Sequence, residues 1–223
     1  MKEKSVLSSE QAYDLIMGLS SLTGSRLTAD IARVLGDLSP PDFSVSLNTK
    51  QLASKLWLRD AVFETYGATF GTIFIMGGWY GVLSALFFDD ERFAIDLIAS
   101  LDIDPDCEIV ATLLNRRFVK EGRFKAVTGD MYGFDITGYQ DRGPSLVINT
   151  SAEHIPDLRL WLSGLPKGQR VVIQSNDYRQ ITEHVSCVSS VEELVVSAAL
   201  SKVDFQGTLP TRRYQRFMVM GST

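Results

Sequence analysis

The spacing of apolar positions changes near residue 66 and divides the chain into two regions. Before that point, apolar residues recur every three or four positions, which predicts three helices. The first helix follows Ser8 and Ser9, either of which can cap it, and the third runs from about Thr49 to Tyr66. Three helices of this size would hardly fold alone, so residues 1–66 are predicted to form a helical cap or extension.

From residue 67 to residue 223, short apolar runs alternate with helical patterns. This alternation predicts an α/β domain with a mostly parallel, doubly wound sheet that is covered on both faces. Residues 72–76 form an almost continuous apolar run, as expected of a strand buried on both faces. Further strands are predicted to end near Asp104 and to cover residues 124–128, 145–148, 170–174, 203–207 and 214–220. The last two have only a short connection, which predicts an antiparallel pair.

A glycine-rich turn, Gly77-Gly78-Trp79-Tyr80-Gly81, follows the first strand. Glycine lets the backbone approach a ligand closely, although such a turn can also be purely structural. Asp102 lies at the end of the next strand, about 20 residues further on, where an acid can bind a ribose diol. Asp130 closes the third strand, where a short acid could reach an adenine amino group. Each aspartate could instead only cap the helix that follows it.

Together these segments resemble class I S-adenosylmethionine-dependent methyltransferases over about residues 70–221. The resemblance rests on the glycine turn, Asp102-Ile103-Asp104-Pro105, Gly129-Asp130 and Leu165-Pro166-Lys167-Gly168. The glycine turn, residues 149–154 and residues 214–218 are also similar to short methyltransferase-like proteins of phages and bacteria. The resemblance implies a Rossmann-like, doubly wound sheet of seven strands with the last strand antiparallel. It also implies the cofactor S-adenosylmethionine over the carboxyl ends of the first three strands.

The resemblance assigns cofactor contacts by position. Gly77 and Gly81 would border the methionine and ribose moieties, Asp102 would hold the ribose hydroxyls, and Asp130 with Met131 would meet the adenine. The complete set of implied cofactor-binding residues is Gly77, Gly78, Trp79, Tyr80, Gly81, Asp102, Ile103, Asp130, Met131 and Asn149.

Two positions depart from the family pattern. Ile75 stands two residues before the first glycine, where the family usually has an acid, and Trp79 stands where it usually has glycine. Without this acid, the amino-acid end of the cofactor would have to be held differently from the family pattern. The ring of Trp79 or Tyr80 could attract the sulfonium by a cation–π contact, or both rings could belong to the core.

Polar side chains follow the fourth and fifth strands, where ligands lie in an open parallel sheet. They include the only two histidines, His154 and His184, each preceded by a glutamate. His154 is the first choice for a base that aligns or deprotonates a methyl acceptor, and His184 is the second. Asn176 and Tyr178 would orient the acceptor. The histidines could instead cap loops, and because the Glu-His pairs lack a typical ligand spacing, no bound metal is predicted.

The composition and net charge of the chain argue against some classes of function. The 223 residues are 45% apolar with a net charge of −5, which fits a folded domain and argues against a general nucleic-acid binder. The basic groups Arg116-Arg117, Lys120 and Arg212-Arg213-Arg216 are interpreted as solvated helix and strand ends. There is no apolar run of about 20 residues and no secretory signal, which predicts a cytoplasmic protein without a membrane span. The apolar N-terminal helices suggest a homodimer.

The sequence therefore favours an enzyme, a methyltransferase that acts on a small-molecule acceptor. An RNA, DNA or protein methyltransferase is an alternative, but Asn149-Thr150-Ser151-Ala152 lacks the Pro-Pro-aromatic motif typical of base-amine methylation. A cyclase or lyase that consumes S-adenosylmethionine and releases methylthioadenosine is another alternative, for which the absent acid at Ile75 leaves room. The last alternative is a non-enzymatic module that only binds S-adenosylmethionine.

Overall fold

A computed structural model describes residues 7–38 and 40–223. The α-helices in these ranges are α1 (Ser9–Thr23), α2 (Arg26–Asp37), α3 (Phe43–Ser46), α4 (Thr49–Tyr66), α5 (Val82–Asp89), α6 (Pro105–Leu114), α7 (Arg116–Lys120), α8 (Leu158–Ser163) and α9 (Val191–Ala198). The strands are β1 (Thr69–Met76), β2 (Ala94–Asp102), β3 (Phe124–Thr128), β4 (Ser145–Asn149), β5 (Arg170–Asn176), β6 (Lys202–Pro210) and β7 (Gln215–Ser222).

All seven strands belong to one sheet in the order β3-β2-β1-β4-β5-β7-β6. Strands β1 to β5 pair in parallel, whereas β7 pairs antiparallel with both β5 and β6. The predicted doubly wound sheet with an antiparallel last strand is therefore confirmed. The chain order reverses between β1 and β4, and a crevice at such a reversal is the usual ligand site of an open α/β sheet.

The sheet has an apolar layer on each face, because successive side chains of a strand point to opposite sides. On one face, Ile73 and Ile75 belong to a cluster with Leu58 of α4 and Phe87 of α5. On the other face, a second cluster contains Phe74 and Met76 together with side chains of α8 and α9. Both faces are thus buried, which explains why the central strands are almost continuously apolar.

The N-terminal helices pack against the α/β region in different ways. Val34 of α2 and Phe43 share a third apolar cluster with Tyr80 and Leu86. Helix α4 spans both environments, since its Leu58 lies in the sheet core. Helix α1 has no fully buried residue, and its three leucines are exposed. The division at residue 66 and the homodimer stay predictions.

Several predicted element boundaries shift by a few residues. Strand β1 begins at Thr69 rather than residue 72, because Thr69 and Phe70 already pair with β2. Ser190 caps α9 by accepting the Glu193 backbone N–H, as its capping-box spacing predicts. In a full capping box the Glu193 carboxylate would accept the backbone N–H of Ser190; here it accepts the N–H of Ser189 instead, at 2.6 Å.

Of the helices in the described ranges, none has the length and hydropathy needed to cross a bilayer.

Candidate active site

The three glycines of the glycine turn occupy positions that disfavour a side chain. Gly77 and Gly81 have φ values of 70° and 71°, in the left-handed region that favours glycine. Gly78 has no such φ, but a Cβ there would lie 2.0 Å from Oγ of Ser100 on β2. The turn therefore lies tightly against the end of β2 and follows β1 at the reversal of the sheet.

Trp79 is held in this turn in a conformation that is unusual for its residue type. Its φ is 48°, which costs a non-glycine residue about 1–2 kcal/mol and explains why glycine would suit the position. Its backbone N–H donates to Oδ2 of Asp102 at 2.7 Å. The Trp79 ring stacks on Tyr80 with centroids 5.1 Å apart. Tyr80 is buried, so of these two rings only that of Trp79 is partly open to solvent.

Asp102 ends β2 and orders the loops around it. Its two carboxylate oxygens accept the backbone N–H groups of Trp79, at 2.7 Å, and Asp104, at 3.2 Å. The next side chain, Ile103, is 74% exposed, which is unusual for an isoleucine beside a buried strand end. The predicted nucleotide contacts Asp102 and Ile103 thus lie directly beside the glycine turn.

The ends of β3 and β4 complete this first group of residues. Asp130 is exposed and accepts the N–H of Tyr132, as a cap of the following turn. Asn149 is buried, and its amide nitrogen lies 3.6 Å from Sδ of Met131. Ile75, the position of the absent acid, is 1% exposed within the apolar cluster of α4 and α5. An acid at that position would lie in this apolar layer.

The two histidines meet after β4 and β5. Their ring centroids are 4.7 Å apart, with ring planes at 89°. His154 is exposed and His184 is partly buried. Nδ1 of His184 lies 2.6 Å from the backbone oxygen of Tyr178, and because that oxygen can only accept, Nδ1 carries the proton. Nε2 of His184 therefore has a free lone pair when the ring is neutral.

A buried ion pair lies beneath the histidines. Glu153 and Arg216 are 4% and 7% exposed in their side chains, with Nη1 3.5 Å from Oε1. The Asn176 amide donates to the same Oε1 at 2.5 Å, while Asn176 Oδ1 accepts the N–H of Tyr178. Arg216 also donates to the backbone oxygen of Thr150. Within residues 7–38 and 40–223, Oε2 of Glu153 and Nε of Arg216 have no hydrogen-bond partner.

This position of Arg216 corrects the interpretation of the basic groups as solvated ends. Arg216 is the second residue of β7 and pairs with Asn176, so the antiparallel register brings it to the edge where β5 ends. Arg117 also differs, because its Nε contacts the buried Asp30 carboxylate at 2.8 Å. No local pattern in the sequence indicated that Arg216 is buried, because a charged residue near the start of a strand is commonly solvated.

Lys55 is a buried cation that no motif in the sequence indicated. It lies on α4 three residues before the core residue Leu58, at a spacing that turns it toward the sheet. Its Nζ donates to Oε1 of Gln51 at 2.8 Å, and the neighbouring Ser54 bonds Gln174 of β5. Burial, followed by the charge of Arg216, lowers the pKa of Lys55 from 10.5 to about 7.

We expect the stability of the protein to rise with pH because of Lys55. Above about pH 7 the folded protein loses the Lys55 proton, whereas the unfolded chain keeps it up to about 10.5. The free energy of unfolding should therefore increase between these values, by at most about 1.4 kcal/mol per pH unit. Urea unfolding at several pH values tests this. Lys55→Met should flatten the profile, and Lys50→Met on the same helix should not. Equal slopes in the wild type and Lys55→Met would contradict it.

Solved structures resemble this chain in the whole arrangement of the sheet and helices. The N-methyltransferase NodS from Bradyrhizobium japonicum WM9, in complex with S-adenosyl-L-homocysteine, has a TM-score of 0.62 at 11% identity over 87% of this chain and 98% of NodS. Magnesium protoporphyrin IX methyltransferase from Synechocystis PCC 6803, with bound S-adenosylmethionine, has a TM-score of 0.59 at 13% identity over 98% of this chain and 99% of the enzyme. The chain has the fold of class I S-adenosylmethionine-dependent methyltransferases.

A third similar structure is geranyl diphosphate C-methyltransferase from Streptomyces coelicolor A3(2), with a TM-score of 0.54 at 13% identity over 85% of this chain and 88% of that enzyme. No protein-family model matches the sequence, and no curated protein matches it. The methyltransferase likeness is thus one of fold. Within that fold, the residues predicted from the sequence lie in two groups, one around Asp102 and one around His154. By their predicted roles we call them the nucleotide edge (residues 77–81, Asp102, Ile103 and Asp130) and the acceptor edge (His154, Asn176, Tyr178 and His184).

Proposed function

We propose that this protein is an S-adenosylmethionine-dependent methyltransferase that acts on a small-molecule acceptor. The observation that carries the proposal is the direct contact between Asp102 and the glycine turn, at the reversal of a methyltransferase-type sheet. The similar structures named above include complexes with S-adenosylmethionine or S-adenosyl-L-homocysteine, and one was solved with geranyl diphosphate. These complexes support a sulfonium cofactor and a small acceptor.

The nucleotide edge fits such a cofactor chemically. Asp102 faces the turn with a carboxylate that can accept ribose hydroxyls in addition to its backbone donors. The exposed side chain of Ile103 offers an apolar surface to an adenine ring, and Asp130 offers an acceptor for its amino group. When bound, the cofactor supplies a methyl group on a positively charged sulfur.

The acceptor edge supplies alignment and proton handling. His154, which is exposed beside His184, aligns the acceptor or takes its proton as the methyl group is transferred. Tyr178 lies across from His184, with ring centroids 6.3 Å apart, and orients the acceptor. Asn176 is buried with protein partners on both amide atoms, so it acts by holding Glu153 and the Tyr178 backbone in place.

Incubation of the purified protein with S-adenosylmethionine alone tests the reaction class. A raised melting temperature with intact cofactor supports a methyltransferase that lacks only its acceptor. The reason is that a ligand at 100 times its Kd stabilises the folded protein by about 2.7 kcal/mol. Methylthioadenosine in the mass spectrum would instead favour the cyclase or lyase alternative. An unchanged melting temperature together with no binding by calorimetry would reject the proposal.

We expect His154→Ala to lower turnover by at least about 100-fold, because a positioned base typically contributes 10²–10⁴-fold. The affinity for S-adenosylmethionine should stay nearly unchanged, since His154 lies on the acceptor edge. Methyl transfer to an acceptor found by screening, together with calorimetric cofactor titration, gives both values. Lys167→Ala, an exposed change before β5, serves as the control. Wild-type turnover in His154→Ala would exclude His154 from the reaction.

A further inference from the structure

Three side chains on the acceptor edge form a cluster with metal-ligating groups. Glu153, His154 and His184 each place one ligand atom within 4.8 Å of the other two. Glu153 and His154 follow β4, whereas His184 lies in the loop after β5, so the cluster arises only when the two strand ends meet. The linear spacing of these residues is not typical of a metal site, which is why the sequence alone predicts no bound metal.

The histidine geometry favours coordination. The Tyr178 backbone oxygen holds the proton of His184 on Nδ1, at 2.6 Å, which leaves the Nε2 lone pair free. Histidines that bind metals commonly donate their other ring N–H to a carbonyl or carboxylate in this way. His154 stands perpendicular to His184 and is exposed, so its ring can turn toward a shared ion.

Glu153 supplies an independent reason to expect a ligand. Its Oε1 is held by Asn176 and Arg216, but its Oε2 is buried and has no hydrogen-bond partner among the residues that the structure describes. A buried carboxylate oxygen without a partner is costly. A cation bound to Oε2 would remove that cost, while Asn176 and Arg216 keep the carboxylate in place.

We propose that Glu153, His154 and His184 bind a divalent transition-metal ion of the Zn²⁺ or Co²⁺ type. Two imidazoles and one carboxylate suit such ions better than Mg²⁺, which prefers oxygen ligands. Bonds of about 2.0–2.2 Å place the ligand atoms of one ion roughly 3–3.5 Å apart, so binding draws the exposed His154 ring inward. Three protein ligands leave a position open for a further oxygen atom.

The consequence for catalysis rests on the proposed methyltransferase function. With the ion bound, His154 aligns the acceptor as a metal ligand, and the acceptor binds through a hydroxyl or phenolic oxygen. The ion lowers the pKa of that hydroxyl, and its proton passes to water. The new bond joins the acceptor oxygen to the methyl carbon, the S–CH₃ bond breaks, and its electron pair stays on sulfur to give S-adenosylhomocysteine.

A cobalt titration tests the ion site without any methyl transfer. Protein without a histidine tag is stripped with a chelator and titrated with CoCl₂, with d–d absorption as the readout and ZnCl₂ as competitor. We expect one equivalent of Co²⁺ that Zn²⁺ displaces. His154→Ala and His184→Ala should each weaken binding by at least about 100-fold, because even residues that only support a ligand are worth 10–100-fold. Glu183→Gln, an exposed Glu-His neighbour outside the cluster, should bind like the wild type.

The outcomes separate this site from the proposed function. Absence of a saturable cobalt spectrum, or equal affinity in the wild type and His154→Ala, would overturn the metal site. His154 is exposed, so its substitution should not unfold the protein, and circular dichroism checks this. Cofactor binding is measured separately by calorimetry in the presence of chelator. Cobalt binding without S-adenosylmethionine binding would reject the methyltransferase and retain the site, and the reverse result would reject the site alone.

Discussion

Asp102→Ala is expected to lower the affinity for S-adenosylmethionine by two to four orders of magnitude. The carboxylate is positioned to accept two ribose hydroxyls, and hydrogen bonds to a charged group are worth about 1.5–3 kcal/mol each. It also holds the Trp79 N–H, at 2.7 Å, so its loss releases the strained glycine turn that borders the cofactor. Isothermal titration calorimetry of the wild type and the variant measures the difference.

The matched control for this change is Asp104→Ala, two residues further along the same loop. Asp104 caps α6 by accepting the Asp106 N–H, so its loss should cost about 1 kcal/mol of stability. Asp102→Ala should destabilise by a similar amount through its lost backbone contacts, about 1–2 kcal/mol. Similar melting temperatures with very different cofactor affinities would therefore assign the effect to binding. Equal affinity in Asp102→Ala and the wild type would refute the ribose site.

Gly81→Ala is expected to destabilise the protein by about 2–5 kcal/mol. Its φ of 71° costs an alanine about 1–2 kcal/mol. The added Cβ would lie 2.7 Å from Nδ2 of Asn115 and 2.9 Å from Cβ of Ala111, and overpacking of this kind costs a further 1–3 kcal/mol or so. Asn115 is buried and bonds the Gly81 carbonyl, so it has little room to move. Urea unfolding measures the loss.

Gly122→Ala separates the two causes of this loss, the backbone strain and the overpacking by the added Cβ. Gly122 has nearly the same φ, 70°, but a Cβ there would meet no atom of the described part of the chain within 4 Å. Gly122→Ala should lower the free energy of unfolding by about 1–2 kcal/mol, through backbone strain alone. The effect of the change from glycine to alanine on the unfolded chain is the same at both positions. Cofactor affinity should fall in Gly81→Ala, because the turn must shift, and should not change in Gly122→Ala. Equal destabilisation of the two variants would mean that the contact with Asn115 and Ala111 is relieved at little cost.

Much of the fold followed from local pattern. Helix α4 spans Thr49–Tyr66, as predicted, because the cap and the apolar spacing of a helix lie within a few residues of each other. Strand ends were predicted less well, as with Thr69 at the start of β1. Where a strand ends depends on its partner strand, and that partner is distant in sequence.

The contact between the glycine turn and Asp102 could be predicted from the sequence, whereas on the acceptor edge the sequence indicated the residues but not the contacts between them. Gly77 to Gly81 and Asp102 follow consecutive strands, so their order along the chain already indicated a shared edge. The contact of Glu153 with Arg216 joins residues from β4 and β7, and the position of Lys55 depends on how α4 lies on β5. No local spacing encodes such contacts.

By itself, the sequence determined that helices come first and that strands then alternate with helices, because helical and strand periodicity and the special φ of glycine are properties of neighbouring residues. It also determined that polar groups follow β4 and β5. The short helix α3 (Phe43–Ser46) was not among the three helices predicted before residue 66. Only the tertiary structure decided that Arg216 is buried against Glu153 and that His154 meets His184. These contacts arise from strand register and loop packing, which bring together residues that are up to 63 positions apart (153 to 216) and therefore carry no common local signal.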